Sequence, residues 1–430
     1  MQNRIVIMCT GNEAIDRALI SKAVDANSTS FIELVMETFS QNSKYHQYLE
    51  YLKTTNSAVS AVQILKLTSV AELSLGIENI DLLQDHTYLY RIPNLLLVMI
   101  SIAVAKTEGS EKNHLWIGLS DPDLKAVTPD VPAYLEKIKD LAAIGIHMNH
   151  KIELHFELFD EDYGVLQNSM VTTDPDRSLI LFSSGLDCIA AAYVLKALGK
   201  ELNLLAFKYG HSNRYQEAYY LDRFVKETTN LGDFKYREVE LTILKDIGHS
   251  ACLHDDVEIN QHNLDSEYIP FRNTVFIGIA MLHAIQSKIK YIVTGSHLDD
   301  SLSPDNRVEY FETFQKVLDL QYCTKEIKLF PVGLHLGGKK ELLYTMTELG
   351  GDPRISWSCL NYIPEERAGY EAIQCGTCGN CSTRYSAFRR LGMTDPIPYK
   401  VLPKIRTSWS GWAEDAEVIL QQIHIKRKDL

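Results

Sequence analysis

No stretch limits the fold of this chain more than Ser178-Leu-Ile-Leu-Phe-Ser-Ser-Gly-Leu-Asp-Cys188. Ser178 to Phe182 reads as a buried strand and Ser183-Ser184-Gly185 as a small-residue turn. Asp187 to Leu198 then carries a helical period, with Ile189, Tyr193, Leu195 and Leu198 as apolar positions. A strand that feeds a tight turn and then a helix leaves backbone N–H groups unpaired where the helix dipole favours negative charge. A phosphate chain is the ligand such a turn is suited to. The Gly-x-x-x-x-Gly-Lys-Ser/Thr loop occurs nowhere in the sequence, so any phosphate site here is of another type. Taken alone, such a turn is more often an ordinary βα connection.

Downstream, strand and helix patterns alternate. Leu202–Phe207, Tyr236–Leu241 and Lys290–Thr294 read as strands, and Asn273–Gln286 as an apolar helix. That alternation predicts a doubly wound, mostly parallel α/β sheet. Ligands of such sheets gather beyond the carboxyl ends of the strands. The polar stretches Ser183–Asp187, Tyr209–His211 and Gly295–Arg307 fall at those ends.

Residues 1–175 carry mixed signals and are expected to form a separate α+β domain, with residues 176–430 as the second domain. Arg4–Cys9 reads as a strand, and Phe31–Phe39 and Tyr48–Lys53 read as helical pieces. Ile92–Ala105 reads as a buried helix, being too short for a membrane span and interrupted by Pro93 and Asn94. Lys151–Phe159 alternates cleanly, as a half-buried antiparallel strand would. Asp160–Asp162 and Thr172–Arg177 read as a linker. No catalytic constellation stands out in this region, and Trp116 is expected in the core.

A length of 430 residues, 45% hydrophobic and 23% charged, is that of a globular protein of two or three domains. The formal charge of −13 argues against a nucleic-acid-binding surface. The first residues lack a signal-peptide core, so a cytoplasmic protein with no membrane span is expected. In that compartment, clustered cysteines point to metal more than to disulfides.

Such a cluster is present: Cys359, then Cys375-Gly-Thr-Cys378-Gly-Asn-Cys381. Two overlapping Cys-x-x-Cys units and one earlier cysteine offer four thiolates to a tetrahedral Zn²⁺, a closed structural site. Unligated thiols or an iron–sulfur cluster are the other readings. Cys9, Cys252 and Cys323 read as ordinary buried thiols. The place of Cys188 at a helix start could lower its pKa.

These residues together resemble a known family. Ser183-Ser-Gly-Leu-Asp-Cys188 is similar to the Ser-Gly-Gly-x-Asp-Ser signature of PP-loop ATP pyrophosphatases, of the adenine nucleotide alpha hydrolase-like fold. Phe207-Lys-Tyr-Gly210, Tyr268-Ile-Pro-Phe-Arg-Asn273, Pro304-Asp-Asn-Arg307, Phe330-Pro331, Lys339-Lys-Glu341, Trp357-Ser-Cys359 and the cysteine knuckle resemble the 7-cyano-7-deazaguanine synthases (QueC). The resemblance spans roughly residues 176–396. Residues 1–175 resemble, more loosely, the extension of QueC-like proteins in bacterial anti-phage systems, such as QatC and type IV CBASS relatives.

The resemblance implies a ligase or synthase that uses ATP, with Mg²⁺, to adenylate a carboxylate such as 7-carboxy-7-deazaguanine. It implies nucleotide binding by Ser183, Ser184, Gly185, Leu186, Asp187, Cys188 and Tyr209, with Asp187 on Mg²⁺. Lys339 and Arg307 would act with Asp187 in catalysis, while Arg272, Asn273, Asp299, Asp300 and Asp305 would line the substrate pocket. Zn²⁺ would sit on Cys359, Cys375, Cys378 and Cys381. A symmetric homodimer is expected, and in defence relatives the amine acceptor is expected to be a partner protein.

Blander readings stand beside these. Asp187 also suits a helix N-terminus, Lys340 competes with Lys339, Arg272 and Arg307 suit ion pairs, and Asn273 suits a helix cap. Ser184 and Cys188 depart from the family's glycine and serine, and His211 stands where the family has Gln. The loop before Arg307 is one residue short, so Asp299 and Asp300 compete for one position. A non-catalytic nucleotide-binding scaffold of a defence complex is the alternative that these departures favour. Sulfur transfer to tRNA fits less well, because the chain is acidic and its Cys-x-x-Cys units suit metal.

Overall fold

A computed structural model describes the chain except residues 1–3, 10–12, 27–30, 39–43, 67–112, 145–151, 161–171, 229, 242–243, 245–249, 255–266, 270–271, 301–302, 406–410 and 428–430. The chain divides into two compact units. Met1–Thr173, Pro270–Ser287 and Glu312–Ile327 make the first, and Asp174–Ile269, Lys288–Phe311 and Lys328–Leu430 the second. No helix among the described residues is long and apolar enough to cross a membrane.

The described elements of the first unit run β1 (Arg4–Met8), α1 (Glu13–Ala26), β2 (Phe31–Thr38), α2 (Lys44–Thr55), β3 (Val59–Lys66), β4 (Asn113–Ser120), α3 (Asp121–Val127), α4 (Val131–Ile144) and β5 (Ile152–Phe159). The sheet order is β3-β2-β1-β4-β5, and every pairing is parallel. Three expectations are corrected here. Phe31–Thr38 is a strand, because a short apolar run fits either period and pairing with β1 and β3 decides it. The Lys151–Phe159 strand pairs in parallel with β4, since alternation reports which face is buried and not strand direction. The unit is therefore α/β and not α+β. The Ile92–Ala105 reading lies outside the described residues. Trp116 is in the core as expected, 7% exposed, with Ile5, Ile7, Leu19 and Leu34.

The second unit begins with β6 (Asp174–Leu181), so the polar stretch read as linker is partly strand. There follow α5 (Leu186–Ala197), β7 (Glu201–Lys208), α6 (Arg214–Glu227) and β8 (Phe234–Glu240). Next comes α7 (Arg272–Ser287), whose residues group with the first unit. The chain continues through β9 (Ile289–His297), α8 (Val308–Asp319, grouped with the first unit from Glu312 on), β10 (Lys328–Pro331), α9 (Val332–Leu336), α10 (Lys339–Glu348), α11 (Gly379–Arg390) and α12 (Ala416–Gln422). The order is β10-β9-β6-β7-β8, all parallel.

β7 is buried from Leu202 to Phe207, as in a strand covered on both faces, and its one polar residue there, Asn203, donates to the Ser178 carbonyl at 3.0 Å. α5 is buried at almost every position, and Ala190, Ala191 and Ala192 allow the close packing. Both sheets share one winding: from the central strand the chain runs to one edge, then returns to start beside that strand on the other side. In the second sheet this switch falls between β6 and β9, which places a crevice at their carboxyl ends.

Candidate active site and cysteine knuckle

The turn after β6 is built for close approach. Ser184 adopts φ +54°, the left-handed region where a side chain costs about 1–2 kcal/mol and glycine is at ease. The Ser184 side chain is fully buried and its Oγ donates to the Glu217 carbonyl at 3.1 Å, away from the loop mouth. The Ser184 carbonyl accepts from the Trp357 N–H at 3.1 Å.

Cys188 closes the turn from within. Its Sγ accepts from the Ser183 N–H at 3.3 Å and donates to the Gly185 carbonyl at 3.2 Å. Burial pushes this thiol up to about 12, with Asp187 adding to the rise and the Ser183 hydrogen bonds opposing it. Burial thus outweighs the helix-start effect that suggested a lowered pKa. Gly185 begins α5 with no side-chain cap on the helix. A Cβ at Gly295 of β9 would lie 2.9 Å from the Asp187 backbone and the Cys188 nitrogen, so glycine there lets α5 start directly against the neighbouring strand.

Charge converges on this point. Asp187 Oδ2 lies 3.0 Å from Lys339 Nζ, and Lys339 is 2% exposed. Burial alone would lower the Lys339 pKa, but the carboxylates of Asp187 and Asp300 outweigh it and hold the pKa above its usual value. Lys340 instead pairs with buried Glu341 at 3.1 Å, so Lys339 is the lysine that meets the turn. His297, fully buried at the end of β9, puts Nε2 3.6 Å from Asp187 Oδ1 and 3.2 Å from Asp300 Oδ2. Neither His297 ring nitrogen nor Asp187 Oδ1 has a hydrogen-bond partner among the described residues. His297 belongs to none of the motifs in the sequence, and its place at a strand's carboxyl end is the one local signal it carries.

Asp299 and Asp300 have different surroundings. Asp299 Oδ2 accepts the Lys339 N–H at 2.8 Å and satisfies the start of α10, whereas Asp300 faces His297 and Lys339. The first N–H of α10 is thus bonded to a carboxylate, whereas no side chain caps α5. Asp305 is buried in the turn Pro304–Asn306, which is tied to β9 by the 2.7 Å Ser296–Asn306 hydrogen bond, and half-buried Arg307 follows it. Tyr209 stacks on His211 at 4.2 Å beyond β7, and His211 Nε2 is 3.3 Å from Glu217 Oε2. Arg272 and Asn273 open α7, which groups with the first unit and not with the unit that holds Asp187. Asn273 is the second residue of that helix and not its cap.

The four predicted cysteines meet. One sulfur from each of Cys359, Cys375, Cys378 and Cys381 lies within 4.8 Å of the others. Backbone N–H groups of Cys375, Thr377, Cys378 and Cys381 point at these sulfurs at 3.3–3.4 Å, the arrangement that stabilises thiolates. At Gly376, φ +81°, a Cβ would fall 1.7 Å from the Val401 carbonyl oxygen, so the knuckle requires glycine. The donor set and its closeness fit a tetrahedral Zn²⁺. Arg384, fully buried, joins the knuckle helix to Asp395 through 2.7 and 3.1 Å bonds and to the Ser356 hydroxyl at 2.8 Å. Trp357 Nε1 donates to the Cys359 carbonyl at 2.9 Å. Cys359 and Ser184 are thus linked through one tryptophan.

Comparison with known proteins covers this half of the chain. Residues 177–392 match the family described as "Queuosine biosynthesis protein QueC". Over 234 residues the chain is 29% identical to the 7-cyano-7-deazaguanine synthase of Caldicellulosiruptor saccharolyticus, covering 52% of this chain and 96% of that one. Over 238 residues it is 31% identical to the synthase of Haloarcula marismortui, covering 54% and 98%. A third relative, 7-cyano-7-deazaguanine synthase 2 of Sulfurisphaera tokodaii, is 30% identical over 236 residues, covering 52% and 48%.

Proposed function

Because this chain belongs to the QueC family, we propose that it is an ATP-dependent synthase that activates the carboxylate of 7-carboxy-7-deazaguanine or a similar acid. The Asp187–Lys339 pair beneath an uncapped helix start at the sheet's switch point carries this reading. A carboxylate resists attack by an amine until one of its oxygens joins a good leaving group. Adenylation by ATP supplies that group.

The chain's own residues divide the work. Ser183, the backbone N–H groups of Ser184 and Gly185, and the start of α5 would hold the departing pyrophosphate. Lys339 would offset its charge and Asp187, with its unpartnered Oδ1, would hold Mg²⁺. His297 would keep Asp187 and Asp300 in place. Asp300 and Asp305 would read the base, with Arg307 and Tyr209 at the pocket wall. Zn²⁺ on the four cysteines would be structural, holding Trp357 and through it the turn.

The acceptor is proposed to be a partner protein's amine, in an anti-phage setting, with the enzyme acting as a homodimer. Support comes from residues 1–175, which lie before the QueC match. Ser184 and Cys188 leave the loop mouth clear, which favours an enzyme over an inert scaffold. Purified protein given MgATP and the acid should release pyrophosphate, and mass spectrometry of a co-expressed partner should show the added deazaguanine. Pyrophosphate release with nitrile accumulating and the partner unmodified would exclude conjugation; no acid-dependent release would favour the scaffold.

A further inference from the structure

The first unit holds a second cluster of metal-ligating side chains, remote in character from the nucleotide chemistry. β4 and β5 pair in parallel with His114 opposite Glu153 and Trp116 opposite His155. Residues two apart on a strand share a face, so these four side chains lie together on one side of the sheet. His114 Nδ1 is 3.1 Å from His155 Nε2. The Glu153 carboxylate reaches both rings, with Oε2 3.5 Å from His114 Nδ1 and Oε1 3.9 Å from His155 Nε2.

Those separations have a meaning. Ligand atoms at 2.0–2.1 Å from one Zn²⁺ in a tetrahedron lie about 3.4 Å apart. The observed values bracket that edge, and one donor from each residue lies within 4.8 Å of the other two. Trp116 stacks on His155 with ring centres 4.2 Å apart and planes 10° apart, which fixes the plane of the imidazole. His114 is 7% exposed at its side chain and Glu153 63%, so the cluster has a buried floor and an open lip.

We propose that His114, Glu153 and His155 bind a late transition-metal dication of the Zn²⁺ class, with a fourth position open to water. Two imidazoles and one carboxylate suit Zn²⁺ or Ni²⁺, whereas Mg²⁺ and Ca²⁺ require oxygen donors. His114 and Glu153 are each the second residue of their strands. The site therefore sits at the amino ends, away from the carboxyl ends where wound sheets hold substrates. Its role is to fasten the edge strand β5 to β4. A bare hydrogen bond between the two imidazoles is the competing account.

Metal content of the full chain decides between them. Zinc-loaded protein freed of loose metal should carry two equivalents, falling to one in His155→Gln, in Glu153→Gln and in Cys378→Ser. Glu153 is exposed, so its variant reports on the ion even where a histidine variant fails to fold. Ni²⁺ added to protein whose four cysteines hold zinc should quench Trp116 fluorescence saturably. That quenching should vanish in Trp116→Phe and weaken about tenfold or more in Glu153→Gln. One equivalent in the parent, lost in Cys378→Ser, with no saturable quenching, would overturn the site. Two equivalents kept in both His155→Gln and Glu153→Gln would overturn it as well.

Discussion

Lys339 Nζ and Asp187 Oδ2 stand 3.0 Å apart although their residues lie in the first turns of two different helices, α10 and α5. Two helix starts and an ammonium would together overfill one place with positive charge. Asp299 takes up the α10 end and Asp187 the ammonium, which leaves the α5 end for an anion. Phosphate binding there adds negative charge to a site whose own carboxylates are already in use.

Separate substitutions should split this pair. Lys339→Met keeps a buried, space-filling side chain and should fold as well as the parent, with pyrophosphate release reduced about 10²- to 10³-fold. Asp187→Ala should lose activity as far and also stability, by about 1–3 kcal/mol in urea unfolding, because it leaves a buried ammonium with less compensation.

Ser184 should behave unlike an ordinary serine. Ser184→Gly removes the positive-φ strain but also the bond to Glu217, so stability should change by less than about 1 kcal/mol and activity should persist. Ser184→Ala keeps the strain and loses the bond, and should cost about 1 kcal/mol. Urea melts of the two variants give the comparison directly.

Zinc should reach the nucleotide turn through Trp357. Cys378→Ser should lose the ion at the knuckle and weaken ATP binding, although Cys378 is not placed on the nucleotide. Calorimetry with MgATP should show affinity about tenfold or more below the parent. Unchanged affinity in a folded, zinc-depleted knuckle would break the proposed link from Cys359 to Ser184.

Cys188 should stay protonated in ordinary buffers. Its thiol is raised to about 12 from a usual value of 9.0, so the native protein at pH 8.5 should leave Cys188 unalkylated by iodoacetamide in peptide mass spectra. The linkage sign follows from the direction. A folded pKa above the unfolded one contributes stability in full below about pH 9, and that contribution falls as pH rises toward 12.

The central strand, its turn and the cysteine knuckle were readable in sequence because each is a local pattern with chemistry at fixed spacing. Leu202–Phe207 and Lys290–Thr294 were readable as strands because each is a short, mostly apolar run in a regular strand–helix alternation. Phe31–Thr38 was not, because eight residues of apolar character do not distinguish period 2 from period 3.6 without their neighbours. The direction of β5 is set by its partner β4, and nothing within Lys151–Phe159 encodes it. Asp299 and Asp300 differ only in which side chain faces α10, a consequence of backbone path. His297 is one histidine among 14, and only the fold puts it under Asp187.

The most direct test of carboxylate activation follows an atom. The acid substrate, labelled with ¹⁸O in its carboxyl group, is turned over with MgATP and an amine, and the nucleotide product is weighed. If the carboxylate attacks the α-phosphorus, AMP carries one ¹⁸O and the pyrophosphate none. Unlabelled AMP, or ADP formed with the label in inorganic phosphate, would contradict adenylation at the Asp187–Lys339 site.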